Sequence, residues 1–116
     1  MPQGFYSIVG DDGLILPVMA LGGTGVISVA ANIIPKDTAA LVDAVAKKDM
    51  KTAEAINAKF QPLVSALFIE TNPIPVKTAM ALMGLCNGAL RLPMCEMEDA
   101  NLAKLKTALK NYGLLK

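Results

Sequence analysis

Two adjacent carboxylates, Asp11 and Asp12, follow a β-branched run that closes at Gly10, and they are the first residues able to do acid–base chemistry. Neighbouring side chains usually point apart, so a cooperating acid/base pair is the weaker reading. Helix capping is the stronger one: a carboxylate accepts from the free amides at a helix start. A lining role at the end of the preceding strand stays open beside it. Ser28 lies between Ile27 and Val29 and not on a Gly-x-Ser-x-Gly elbow, so it reads as a packed strand serine rather than a nucleophile. The chain has no histidine. Ser-His-Asp and Cys-His catalysis are thereby excluded within it, and histidine metal sites with them.

Three further patterns have bland readings that outweigh the chemical ones. Gly22-Gly23-Thr24-Gly25 is glycine-rich, but a phosphate loop leaves a strand and enters a helix, whereas these glycines leave a helix and enter a strand. They are expected on the structural face and not at a cofactor. Met80, Met83, Met94 and Met97 with Cys86 and Cys95 resemble a soft-metal donor set. Methionine filling irregular core gaps is the commoner cause, and no metal or cofactor is expected. Ten of the eleven basic residues are lysines, and none falls in an expected strand. A nucleophilic lysine needs a site that lowers its pKa, and lysine on a solvated helix stays protonated near neutrality. Lys77, at a helix start after two prolines, is treated the same way.

The elements that must position these residues can be read from periodicity. Phe5 to Val9 predicts a buried strand. Residues 13–21 predict a helix apolar almost all round, covered on most sides and ended by the glycines. Val26 to Ala30 predicts a second strand, and a helix follows with Pro35 near its first position and Leu41, Val42, Val45 and Ala46 in helical period. After the polar break Lys47-Lys48-Asp49, a long helix is expected from Met50 to Ile69, with Ala53, Ile56, Phe60, Leu63 and Leu67 on one stripe and a kink at Pro62. Asn72 to Pro75 predicts a short extended segment, because proline fixes φ and restricts its predecessor. A helix from Val76 to Leu85, an irregular stretch from Cys86 to Met97 and a last helix to Tyr112 complete the chain. Leu102, Leu105, Ala108 and Leu109 should face inward in that last helix, and Gly113 should stop it.

Composition narrows the class. The formal net charge is +1, with interspersed signs and 4% aromatic residues, so no nucleic-acid partner is expected. No apolar run reaches the roughly 18 residues of a membrane span, and no signal-peptide pattern opens the chain. Cys86 and Cys95 lack framework spacing and read as free thiols of a cytoplasmic protein. Hydrophobic residues make up 53%, high for a small domain, as expected of a piece that lacks its neighbours or of a packed helical oligomer.

Gly10-Asp11-Asp12, Gly25-Val26-Ile27-Ser28-Val29, Asn72-Pro73-Ile74-Pro75-Val76-Lys77, Gly84 and Arg91-Leu92-Pro93 together resemble the carboxyl-terminal part of the dihydrodipicolinate synthases. The resemblance runs from about Gly4 to Leu115. It implies an α/β class, mainly helical by content. The expected architecture is a partial (β/α)8 barrel holding the last two strands and their helices, plus a carboxyl-terminal helical bundle. Residues 1–49 would be the last βαβα segment and 50–116 the helical region. At 116 residues the chain is too short for a whole barrel, which needs about 250. Met1-Pro2-Gln3 reads as an initiator added to a cut sequence, or simply as the place where the numbering begins.

The family resemblance also implies a function. Its enzymes are lyases of the diaminopimelate pathway of lysine biosynthesis, condensing pyruvate with aspartate semialdehyde through a lysine Schiff base. Their strand lysine, tyrosine and threonine turn precede the matched region, so no catalytic residue is expected here. Ile27 matches the family residue whose backbone lines the pyruvate pocket. Gly10 lies at the same mouth on weaker grounds, and the active-site face keeps Asp11 and Asp12 in view. Pyruvate is expected as a ligand only in the full-length parent, the piece alone should be inactive, and self-association as a homo-oligomer is expected. The alternative is a small, mainly helical, self-associating interaction protein without catalysis. A related pyruvate aldolase with another acceptor is less favoured, given Asn72 to Lys77.

Overall fold

The computed structural model describes residues 3–116; Met1 and Pro2 of the opening tripeptide lie outside the described residues. The described chain separates into two compact units, dividing between Ala58 and Lys59. The first unit is built on strands β1 (Ile8–Val9) and β2 (Gly25–Val26), which pair in parallel with Ile8 opposite Gly25 and Val9 opposite Val26. Parallel neighbours need a crossover, and helix α1 (Ile15–Ala20) supplies it. A single turn of 3₁₀ helix, Asp12–Leu14, leads into α1. Another, Ala30–Asn32, leads from β2 towards α2 (Pro35–Ala46).

Both strands are shorter than their apolar runs predict. Main-chain bonds from Thr24 N to the Ser7 carbonyl (2.8 Å) and from Ile27 N to the Val9 carbonyl (2.9 Å) flank the ladder and mark its ends. Phe5 and Tyr6 stand outside it, 70% and 81% exposed, so the expected buried strand is reduced to one buried side chain, Val9. Strand side chains alternate in direction, which accounts for exposed Ile8 beside buried Val9. The expected covering of the first helix also fails. Ile15 and Met19, four residues apart, are buried, but Leu21 is 90% exposed.

Gly22 ends α1 in the left-handed region at φ 107°, as the glycine run predicts. Gly23 allows close approach, since a Cβ there would lie 2.9 Å from the Val18 carbonyl oxygen. In α2, Pro35 occupies the first turn, where its missing N–H costs nothing, and Leu41 and Val45 are buried.

Helix α3 (Met50–Leu67) begins in the first unit and ends in the second, running through Pro62. Its predicted stripe is observed: Ala53, Phe60, Leu63 and Leu67 are buried and Ile56 is half-buried. In the second unit, α4 (Ile74–Leu82) packs on α5 (Asp99–Tyr112). The expected extended segment at Asn72–Pro75 is instead the entrance of α4. Pro73 is its N-cap residue and Pro75 sits in its first turn, where the amides have no helical partner in any case. Ile74, Pro75, Val76 and Ala79 are buried, so burial of this apolar turn decides its conformation. The 86–97 stretch is irregular and its Met97 is buried, as a core methionine should be. Leu105 and Leu109 anchor α5, and Gly113 closes it at φ 97°. No helix among the described residues is long and apolar enough to cross a membrane.

Candidate functional site

The two strands end side by side, so the residues immediately beyond them share one edge of the sheet. Gly10 follows Val9 and Ile27 follows Val26, one step past the last paired positions. Both are exposed, Ile27 to 75%. The register thus brings together the two residues that the sequence suggests as ligand-lining. Asp11 and Asp12 follow on one side, and Ser28 to Asn32 on the other.

The adjacent carboxylates have separate tasks. Asp11 is the expected cap: Gly13 N donates to its Oδ1 at 2.9 Å at the entrance of the first 3₁₀ turn. Asp12 points elsewhere and is fully buried. Its Oδ1 accepts from the Ser28 hydroxyl, and its Oδ2 accepts from Val29 N and Ala30 N, both at 3.0 Å. Ser28 Oγ in turn accepts from Ala31 N at 3.0 Å. A carboxylate needs several donors when it leaves water, and these three supply them from the opposite loop. They also correct the second strand. Val29 and Ala30 direct their amides to Asp12 rather than to a neighbouring strand, so the ladder stops at Val26. Ser28 accordingly lies in a turn and not in a strand, bonded to a carboxylate and an amide.

Nothing local announces the Asp12 bridge. Asp12 and Ser28 are 16 residues apart, and only the parallel register makes them neighbours. The second unit uses the same device at Glu70, whose Oε2 accepts from Glu98 N and Asn101 Nδ2, both at 3.1 Å, at the start of α5. There too the partners are distant in sequence. Near the α3 entrance, the Thr52 hydroxyl and its backbone amide hold the Asp49 carboxyl below its usual value. Among the described residues, no three Cys, Asp or Glu side chains gather as a metal site, and Cys86 and Cys95 are exposed free thiols. No lysine lies in either strand.

A parallel strand pair with a helical crossover and a cluster at the strands' carboxyl ends defines an α/β protein whose site would lie at that edge. The chain belongs to the dihydrodipicolinate synthetase family, whose model matches residues 1–112. It is 57% identical over 109 residues to the 4-hydroxy-tetrahydrodipicolinate synthase of Endomicrobium trichonymphae, covering 94% of this chain and 38% of that protein. Among solved structures, dihydrodipicolinate synthase from Aquifex aeolicus superposes with a TM-score of 0.95 at 46% identity, covering 98% of this chain and 39% of that one. The chloride-inhibited synthase from Acinetobacter baumannii, crystallised in complex with pyruvate, superposes with a TM-score of 0.92 at 38% identity, covering 96% and 38%. The chain therefore spans about two fifths of the length of the relatives it matches.

Proposed function

We propose that these residues form the carboxyl-terminal part of a 4-hydroxy-tetrahydrodipicolinate synthase. In this reading, residues 1–49 are the last βαβα segment of a (β/α)8 barrel and residues 50–116 its helical appendage. Their contribution to the reaction is the pocket wall at Gly10 and Ile27. In the complete enzyme a lysine amine attacks the ketone carbon of pyruvate, and water leaves as the imine forms. The imine, as its enamine, then adds to aspartate semialdehyde in a step of lysine biosynthesis. The supporting observation is the juxtaposition of Gly10 and Ile27 at the strands' carboxyl ends, where barrel enzymes of this class hold their substrates. The Acinetobacter baumannii relative, crystallised in complex with pyruvate, supports an oxo-acid as the ligand class. No cofactor or nucleic acid enters this scheme, and the protein would work in the cytoplasm as a homo-oligomer.

These residues supply no strand lysine, so the chain by itself should not form the imine. Borohydride reduction in the presence of pyruvate, followed by intact-mass measurement, tests both halves. The full-length protein should gain one covalent adduct and the 116-residue chain none. An adduct on Lys77 or any other lysine here would overturn the reading.

A second reading, a self-associating helical protein without catalysis, is favoured by one observation. Phe5, Tyr6, Ile8 and Ile27 crowd an open two-stranded sheet and are all more than half exposed. A gene encoding only these residues, with a product that never binds pyruvate, would select it.

A further inference from the structure

The buried Asp12 carboxylate has no part in the chemistry above, yet it receives three hydrogen bonds from the loop that follows Ile27. We propose that Asp12 is a positioning residue that fixes the main chain of Ile27 for oxo-acid binding by clamping the Ser28–Ala31 turn. The inference rests on the reading of Ile27 as a pyruvate-pocket residue and adds to it the group that sets its geometry.

The argument is one of constraint. The Ile27 N–H is held by the Val9 carbonyl at 2.9 Å. One residue on, the Ser28 hydroxyl is held by Asp12, and Val29 N is held by the same carboxylate. The peptide joining Ile27 to Ser28 is therefore pinned on both sides, and the direction of the Ile27 carbonyl follows. Ile27 has no comparable support from packing, since its side chain is 75% exposed. Asp12 is itself immobilised by full burial and by Asp11, whose cap on Gly13 anchors the turn. Its hydrogen bonds are charge-assisted, which makes them stronger than neutral ones. A ligand binding to main-chain atoms needs them preset, because a loop that must order on binding weakens affinity.

Ser28 completes the clamp by using both of its capacities. It donates to Asp12 and accepts from Ala31 N at 3.0 Å, which closes the 3₁₀ turn. Asparagine at position 12 would keep one acceptor oxygen for the amides but present an NH₂ group where the second oxygen stood. Asp12→Asn is thus a conservative change in volume that loosens the clamp.

The test uses the full-length protein carrying these residues. Amide hydrogen exchange at Val29, Ala30 and Ala31 reads the clamp. The pyruvate concentration giving half-maximal borohydride-trapped adduct reads its consequence, and the maximal adduct yield reads the folded fraction. Asp12→Asn should speed exchange at those amides at least tenfold and raise half-saturating pyruvate at least tenfold, with the maximal yield kept. A purely structural role would lower the yield and leave the half-saturation unchanged, and that result overturns the proposal. Unchanged exchange overturns it as well. If Asp12→Asn does not fold, Ser28→Ala removes one of the three donors and is judged on the same two readings, with Ser28→Thr restoring both. A wild-type protein that never traps pyruvate defeats the functional reading itself. Trapping by wild type and Asp12→Asn at the same pyruvate concentration defeats only the positioning role.

Discussion

A carboxylate removed from water is stable here because three donors from one loop meet it. Asp12 shows the consequence most directly. Truncating it to alanine strands the Ser28 hydroxyl and the amides of Val29 and Ala30, and should cost about 3 kcal/mol of stability, since bonds to charged groups and unpaired buried donors each weigh about 1–3 kcal/mol. Denaturant melts of wild type and Asp12→Ala check this, with an unchanged midpoint as the contrary result. Asp49 makes a pH prediction of definite sign. Hydrogen bonding to Thr52 lowers its folded-state pKa below the unfolded value of about 3.8. The unfolded chain then binds a proton more readily, so this contribution is present above pH 3.8 and fades as pH falls through the lower folded value. The Asp49→Asn variant should lose stability less steeply in acid than wild type. The effect is small because the group is exposed to solvent.

The elements owe their bounds to a mixture of local and distant causes. Amphipathic helices were legible, because an apolar stripe at spacings of three and four leaves one arrangement for burial. Leu63 and Leu67 in α3 and Leu105 and Leu109 in α5 fall where the period places them. Leu105→Ala should therefore destabilise the chain by about 3 kcal/mol in thermal or denaturant melts. The glycine stops were legible too. Gly113→Ala forces a Cβ into the left-handed region and should cost about 1 kcal/mol, seen as earlier melting of α5 by exchange at its last amides. Strand lengths and the α4 entrance were not legible. A strand ends where its partner leaves, and Asp12 draws that partner away at Val29. Two prolines in Asn72–Lys77 suggest extension, yet they fit a helical first turn whose apolar face is buried.

At the scale of the whole molecule, the governing feature among the described residues is a parallel sheet of two strands. A two-stranded parallel ladder leaves backbone groups unpaired on its outer edges, and the neighbouring Phe5, Tyr6 and Ile8 are exposed. The isolated chain should associate with itself or with a polypeptide supplying further strands, eluting above its 12.2 kDa mass by an amount that grows with concentration. Elution at 12.2 kDa over a hundredfold range of concentration would contradict this. Family membership was legible from short motifs, since Gly25–Val29 and Asn72–Lys77 are unusual enough in combination to stand without the fold. The helical faces, the glycine stops and the absence of histidine follow from residue types alone, because they depend on neighbours a few positions away. The juxtaposition of Gly10 and Ile27 just past the strand pair, the division of labour between Asp11 and Asp12, and the clamp on the turn after β2 depend on contacts across 16 or more residues. Only the folded chain decides those, because the burial that makes a carboxylate demand its donors does not exist until the strands have paired.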